Sequence, residues 1–281
     1  MIKDLLNGKF DIIIIAGQSN AESSGEGPSY NSDWVEDDDI LMLKGDFDAK
    51  VAKKAYGNEY LDIEVSDKYY IERAKERIIN GKVCAIFGNY FAKMYKENRL
   101  EKDRKILLIQ TAIGGTGFAK WHWGLKDALY NRMLKMTEQA LALNPENRVV
   151  ALLWHQGEHD SFEPPEMEDN VRKQTYKKNL SALIDGVREK FGNKLPFICA
   201  GFTKYWVNEY PNQCAAVLGA TKEVCESIND ARFIEKTDDL EVNDEAVGNG
   251  DTVHFSRRAL YILAERYYNA YKEIVENKGR K

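Results

Sequence analysis

Four short polar clusters carry the side chains in this chain that could do chemistry. GQSN (17–20) follows the apolar run FDIIIIA, and TAIGGTGFAKWHW (111–123) follows KILLIQT. WHQGEHD (154–160) closes the run VVALLWH, and GNGDTVHFS (248–256) precedes the last helical pattern. A hydroxyl is a poor nucleophile until a base takes its proton, so Ser19 needs an imidazole, which His254 can supply. The imidazole in turn needs a carboxylate that orients it and stabilises its charged form. Asp251, three residues before His254, is close enough for a short turn to set it beside the ring. An oxyanion needs fixed donors. The backbone N–H groups of Ser19 and Gly115 can serve, because glycine lets the chain approach a substrate closely. The side-chain amide of Gln156 or Asn20 can add a third donor, and Gly114 competes with Gly115 for the position facing the oxyanion. The chemistry these types share is ester hydrolysis.

Each residue also has a plainer use. Ser19 and Asp251 suit helix N-caps. His155 and His159, spaced i, i+4 with Glu158 and Asp160 beside them, suggest a metal. The H-E-x-x-H pattern and a spaced third ligand are absent, so no metal is expected. No glycine-rich phosphate pattern follows the first run, and no cofactor is expected. His122, between two tryptophans, suits packing or a substrate contact. Trp121, Trp123 and Trp34 offer faces on which a sugar ring can stack, and they are equally ordinary core residues.

The bulk numbers narrow the partners. Lys and Arg total 40 against 45 Asp and Glu, for a net charge of −5. That argues against a nucleic-acid partner, which calls for a basic patch. No apolar run is long enough to span a bilayer, and the first residues show no targeting pattern. The cysteines, Cys84, Cys199, Cys214 and Cys225, form no C-x-x-C pair. Cys214 and Cys225 fall on one face of a helical stretch. Reduced, buried thiols and a cytoplasmic location are the expectation.

The elements that must position these clusters are also legible. Six apolar runs recur, at 10–16, 39–44, 105–111, 149–155, 196–201 and 232–236. They are continuous rather than alternating, as in strands covered on both faces. Between them lie helical spacings. Leu125, Leu129, Met133, Met136, Ala140 and Leu143 form one face, and Tyr176, Leu180, Leu183, Val187 and Phe191 form another. Leu260, Leu263, Tyr267, Tyr271 and Ile274 mark a last helix. Alternation of strand and helix predicts a mostly parallel sheet of five to six strands with helices on both faces. In such sheets, sites form at the carboxyl ends of strands, where all four clusters fall. No linker or repeat appears, so residues 1–281 read as one domain. The charged, Tyr-rich stretch 45–81 reads as an insertion holding one helix, SDKYYIERAKERIIN (66–80). It either walls the site or is simply solvated.

GQSN, GG-T…W, WHQGE-D and D-x-x-H-F, in this order from Gly17 to His254, resemble the blocks of the SGNH/GDSL hydrolase superfamily. The resemblance is to its sialate O-acetylesterase-like and carbohydrate esterase family 6 branch. It implies a flavodoxin-like three-layer α/β/α fold and removal of acetyl groups from carbohydrates. By position it implies Ser19 as nucleophile, His254 as base and Asp251 as its partner. It places oxyanion contributions at Gly115 and Gln156, with Gln18 supporting the nucleophile turn. Glu158 matches the acid of the third block, and is the second candidate for orienting His254. The chain departs from the pattern at Ala21 and Glu22, where Met and Gly are more usual, and at His159, where Ser is. The function expected is a serine carbohydrate acetylesterase working through an acetyl-enzyme. The alternatives are a short-chain acyl esterase or thioesterase of the same fold, and a carbohydrate-binding protein without turnover.

Overall fold

The computed structural model describes residues 8–28, 34–45 and 69–278. Strand β1 (Lys9–Gly17) lies inside a seven-stranded sheet. Phe10, Ile12, Ile14 and Ala16 point into one core and Ile13 and Ile15 into the other, all fully buried. That is why four isoleucines stand in a row: both faces of the strand are covered. Asp11 interrupts the apolar row near the amino end of the strand. Its carboxylate is paired with Arg104 and Arg148 and accepts a hydrogen bond from Tyr95, so the buried charge is compensated.

After the short helix α1 (Ser19–Glu22) the remaining strands are β2 (Ile40–Gly45), β3 (Tyr69–Arg73), β4 (Arg77–Ile79), β5 (Lys82–Cys84), β6 (Arg104–Gln110), β7 (Arg148–His155), β8 (Phe197–Ala200) and β9 (Ala231–Ile234). The sheet order is β3-β2-β6-β1-β7-β8-β9, parallel except where β3 pairs with β2. The run β6-β1-β7-β8-β9 has the doubly wound order 2-1-3-4-5, whose binding crevice opens at the carboxyl ends where the winding reverses. Strands β2 and β3 extend it at one edge.

Helices α3 (Ala128–Ala142), α5 (Asp169–Phe191) and α7 (Pro211–Ser227) cover one face of the sheet. Helices α2 (Phe87–Asn98) and α9 (Arg257–Lys278) cover the other. Three short helices, α4 (Glu158–Phe162), α6 (Lys204–Glu209) and α8 (Asn243–Val247), sit in the loops. All six predicted runs are strands of the sheet, with the two helix layers expected.

Two expectations change. The sheet has seven strands rather than five to six, because β3 comes from the stretch read as a helix at 66–80. Residues 69–73 pair antiparallel with β2, from Tyr69 opposite Gly45 to Arg73 opposite Leu41. Residues 77–79 then pair with 82–84 as a separate hairpin. Its turn is Asn80-Gly81, both at positive φ (51° and 80°), the two-residue signal of a tight hairpin. An open sheet edge outweighed the helical propensity of the charged residues. The rest of the insertion, 46–68, lies outside the described residues. The helix predicted to start near Leu125 begins instead at Ala128, and Leu125 is half exposed before it.

Candidate active site

The strand register gathers the clusters. Gly17 at the end of β1 lies opposite His155 at the end of β7, and Ile15 lies opposite Gln110 at the end of β6. Gly17 has φ +126°, and a Cβ there would sit 2.0 Å from the His155 carbonyl oxygen. Only glycine lets the two strand ends approach so closely. The next residue, Gln18, donates its N–H to that same carbonyl (2.9 Å), and the chain turns into α1 with Ser19 half-buried at its first position.

Ser19 Oγ lies 2.8 Å from His254 Nε2, and His254 Nδ1 lies 2.8 Å from Asp251 Oδ2. Asp251 Oδ1 also accepts the backbone N–H groups of Val253 (3.2 Å) and His254 (3.1 Å), so one carboxylate sets both the loop and the ring. Burial pushes the Asp251 carboxyl up, but the hydrogen bond and charge of His254 and the Asn243 amide outweigh it, leaving it at about 2. It is therefore ionised at neutral pH. The turn carrying this pair is clamped to α8. Asn243 N donates to His254 O (3.0 Å) and Asp244 N donates to Asp251 O (2.9 Å).

Two asparagines join the Ser19 turn to this loop. Asn20 accepts the Phe255 N–H (3.1 Å) and donates to Val253 O (3.3 Å) and Glu158 Oε1 (2.9 Å). Asn243 donates to Asp251 Oδ2 (2.9 Å) and Ser24 O (2.9 Å), and accepts the Glu26 N–H (2.8 Å). Sequence reasoning missed Asn243, since nothing in its spacing sets it apart from any polar residue before a short helix.

The third cluster is an interior brace. Gln156 Nε2 is taken by Asp160 Oδ2 (2.6 Å), Thr116 O (3.1 Å) and Gln18 Oε1 (3.2 Å). Its two amide hydrogens face three protein acceptors, so in this geometry the Gln156 amide is engaged within the protein. The Asn20 amide is likewise spent on protein acceptors. Gln18 Oε1 also accepts from Gly157 N (3.4 Å) and His159 N (3.2 Å), which ties the nucleophile turn to α4. Asp160, buried, accepts the N–H groups of Phe118 (3.1 Å) and Ala119 (2.7 Å) and so holds the loop after β6. Burial pushes its carboxyl up to about 6, against the pull of those donors.

Glu158 is buried and binds Asn20 and, at 3.4 Å, His155 Nε2. His254 already has Asp251, so the geometry keeps the two acids on different histidines. Burial raises the Glu158 carboxyl, and His155 and Asn20 together bring it below its ordinary range. His155 also lies 3.3 Å from the Tyr267 hydroxyl, and the His159 ring packs edge-on to Phe162. Among the described residues no group of three or more His, Cys, Asp or Glu side chains could hold a metal ion.

The glycine turn after β6 answers which glycine is free. Gly114 N donates to Glu22 Oε2 (2.7 Å), whereas Gly115, at φ +68° and half-buried, has no acceptor for its N–H among the described residues. The tryptophans divide. Trp123 is fully buried with its N–H on Thr116, and the Trp34 indole donates to Ala74 O (2.9 Å). Trp121 alone of the three is open, 72% exposed at φ 60°. His122 is buried and accepts the Gly117 N–H (3.0 Å). All four cysteines are buried free thiols, with Cys214 and Cys225 both on α7. Among the described residues no helix is long and apolar enough to cross a membrane.

Ser19, His254 and Asp251 thus form one hydrogen-bonded chain at the carboxyl edge of a doubly wound parallel sheet, with glycine turns at Gly17 and at Gly114–Gly115 beside it. The profile described as carbohydrate esterase, sialic acid-specific acetylesterase matches residues 9–273, and the chain belongs to that family. Over 101 residues, 34% of this chain, it is 26% identical to the Escherichia coli (strain K12) protein named "Probable 9-O-acetyl-N-acetylneuraminic acid deacetylase". That match spans 30% of the relative's length. The fold is similar to that of NanS, with TM-score 0.71 and 16% identity over 96% of this chain and 98% of that one. It is similar to a protein from Arabidopsis thaliana, with TM-score 0.64 and 22% identity over 94% and 98%. A carbohydrate acetylesterase from Xanthomonas citri shares the fold at TM-score 0.59 and 14% identity, over 95% of this chain and 57% of that one.

Proposed function

We propose that this protein is a serine esterase, one catalytic domain that removes O-acetyl groups from a carbohydrate. The observation that carries the reading is the unbroken chain Ser19 Oγ–His254–Asp251, with both contacts at 2.8 Å, in a member of a carbohydrate esterase family. His254 Nε2 takes the Ser19 proton as Oγ attacks the acetyl carbonyl carbon. Asp251 holds the ring with Nδ1 protonated and stabilises the imidazolium. The N–H groups of Ser19 and Gly115 receive the carbonyl oxygen as it becomes an oxyanion. Both residues are half-buried, and neither N–H has a protein acceptor among the described residues. The C–O bond to the sugar breaks, His254 protonates the departing sugar oxygen, and the acetyl group remains on Ser19 Oγ as an ester. Water, deprotonated by the same imidazole, attacks the acetyl-enzyme and releases acetate and free Ser19. Gln156, Gln18 and Asp160 act at one remove, by holding the two turns in register.

The exposed Trp121 follows the loop that Asp160 fixes, and a pyranose ring can stack on it. The name of the Escherichia coli relative makes 9-O-acetyl-N-acetylneuraminic acid the first sugar ester to try. The test is acetate release from p-nitrophenyl acetate and from that sugar ester, by the wild type beside Ser19→Ala. Turnover that falls to background in the variant is expected. Equal rates in the two proteins would overturn the reading. Comparing two-carbon with eight-carbon esters separates an acetylesterase from a general acyl esterase, with preference for the shorter expected.

A further inference from the structure

Glu22 lies one helical turn after the nucleophile, at a position where the chain departs from the pattern it otherwise follows. Its backbone belongs to α1, the same four-residue helix that carries Ser19. Its side chain reaches two other parts of the site. Oε2 accepts the Gly114 N–H at 2.7 Å, and Oε1 pairs with Arg77 Nη1 at 2.6 Å. Arg77 opens β4, in the hairpin within the 45–81 insertion. A second clasp lies alongside. Gln110 Nε2 donates to the carbonyls of Ala21 (3.1 Å) and Glu22 (3.0 Å), while its Oε1 accepts the Ala112 N–H (3.2 Å).

We propose that Glu22 is a positioning residue for the oxyanion donors, with Arg77 as its counter-charge; the inference rests on the esterase reading above. The two proposed donors stand on different elements, Ser19 N on α1 and Gly115 N on the loop after β6. Their separation must be fixed before the reaction, because donors that have to reorganise stabilise the oxyanion poorly. The Gly114 amide is the neighbour of the Gly115 amide along the chain. Anchoring it to a carboxylate of α1 locks the loop to the helix that carries the nucleophile. A charge-assisted hydrogen bond is about twice as strong as a neutral one, so it suits a turn of two glycines that have no side chains of their own to pack. An unpaired carboxylate this near a developing oxyanion would oppose it. Arg77 compensates that charge, which gives the hairpin a place in the site beyond walling it.

The experiment compares wild type, Glu22→Ala, Glu22→Gln and Ser19→Ala on p-nitrophenyl acetate, each well below its melting temperature. Glu22→Ala is expected to lower kcat about 10- to 100-fold with KM within about twofold, since displaced donors weaken the transition state more than the ground state. Glu22→Gln keeps an oxygen for Gly114 and is expected to recover most of that kcat. A general loosening of the fold would not produce this split or this rescue. If Glu22→Ala keeps wild-type kcat while Ser19→Ala is dead, the positioning role is wrong and the esterase reading stands. Equal losses in both Glu22 variants also overturn it, since the retained acceptor then counts for nothing. If Ser19→Ala equals wild type, the esterase reading falls and takes this inference with it. Should Glu22→Ala not fold, the Gly114 amide proton is read by NMR in wild type and Glu22→Gln. It is expected downfield in wild type and shifted upfield in the variant, and an unmoved resonance overturns the inference.

Discussion

Two histidine–carboxylate pairs of the same i, i+3 spacing lie on this sheet edge, His254 with Asp251 and His155 with Glu158. The side chains of the first pair are 29% and 26% exposed and 2.8 Å apart. Those of the second are 0% and 2% exposed and 3.4 Å apart. The residue types are alike, and what each imidazole can reach is not. His254 has a carboxylate on one nitrogen and the Ser19 hydroxyl on the other. His155 is enclosed by Tyr267, Phe255 and Glu158, and its acid is further engaged by Asn20. A general base must exchange protons with a substrate and with water, which the open pair can do and the sealed pair cannot. The sealed pair instead ties the nucleophile turn, through Asn20, to the end of β7.

The largest effects should separate the pairs. His254→Ala is expected to lower kcat/KM at least about 10⁴-fold, and Asp251→Asn about 10³- to 10⁴-fold, with stability little changed. Glu158→Gln should behave in the opposite way. It leaves kcat within about tenfold and costs about 1–3 kcal/mol of unfolding free energy, because His155 and Asn20 lose a charged acceptor in the interior. Urea unfolding measured beside steady-state kinetics reads both axes. A Glu158→Gln enzyme that is stable but as slow as Asp251→Asn would exchange the roles assigned to the two acids.

The pH profile sharpens the same contrast. With Asp251 held at about 2, its charge is constant through the working range. The kcat/KM profile is therefore expected to have one acid limb, of one proton, from the base that must be neutral to accept the Ser19 proton. A limb of two protons would show that a second group of the site titrates with it.

Stability should follow a different pH dependence, set by the sealed region. Burial, and then the charge of Lys120, lowers His122 to about 4 and His159 to about 3 from an ordinary 6.5. Below 6.5 the unfolded chain takes protons that these folded imidazoles refuse, so stability is full above that pH and falls as pH drops toward 4. Asp160 acts in the other sense between 3.8 and about 6, because its buried carboxyl keeps a proton that the unfolded chain has lost. Two imidazoles outweigh one carboxyl. The melting temperature is expected to rise from about pH 5 to 7, and His159→Leu should flatten the slope of unfolding free energy by up to about 1.4 kcal/mol per pH unit. An unchanged slope would place the acid sensitivity elsewhere.

The smallest effect concerns reach beyond the open pair. Trp121→Ala is expected to raise KM for a sugar ester about 3- to 10-fold and to leave KM for p-nitrophenyl acetate unchanged. Equal changes on both substrates would remove the stacking role.

Much of this was legible because the parallel strands are buried on both faces, and such strands read as unbroken apolar runs. The positions of the clusters at strand ends suffice to put Ser19, Asp251 and His254 on one edge of the sheet. The strands at 69–73 and 77–84 were not legible as strands, since YYIER mixes aromatic and charged residues that suit either structure. The Asn80-Gly81 turn signal is masked by the helical pattern of the charged residues before it. The Gln156 amide has the hydrogens an oxyanion needs, and nothing local in the sequence shows that Asp160, Thr116 and Gln18 also face it. Glu22 stood out only as a departure from a pattern.

The sequence by itself determined the parallel strands of the sheet, its two helix layers and the chemical types at its edge, because periodicity and strand-end position are local properties. Tertiary structure decided which histidine meets water, which acid serves it, and which of two adjacent glycines keeps a free N–H. Those are questions of burial and of partners far away along the chain, such as Gly114 with Glu22 at |i−j| = 92 and Ser19 with His254 at |i−j| = 235. Burial changes the strength of every charge and hydrogen bond it encloses, and only the folded chain sets it.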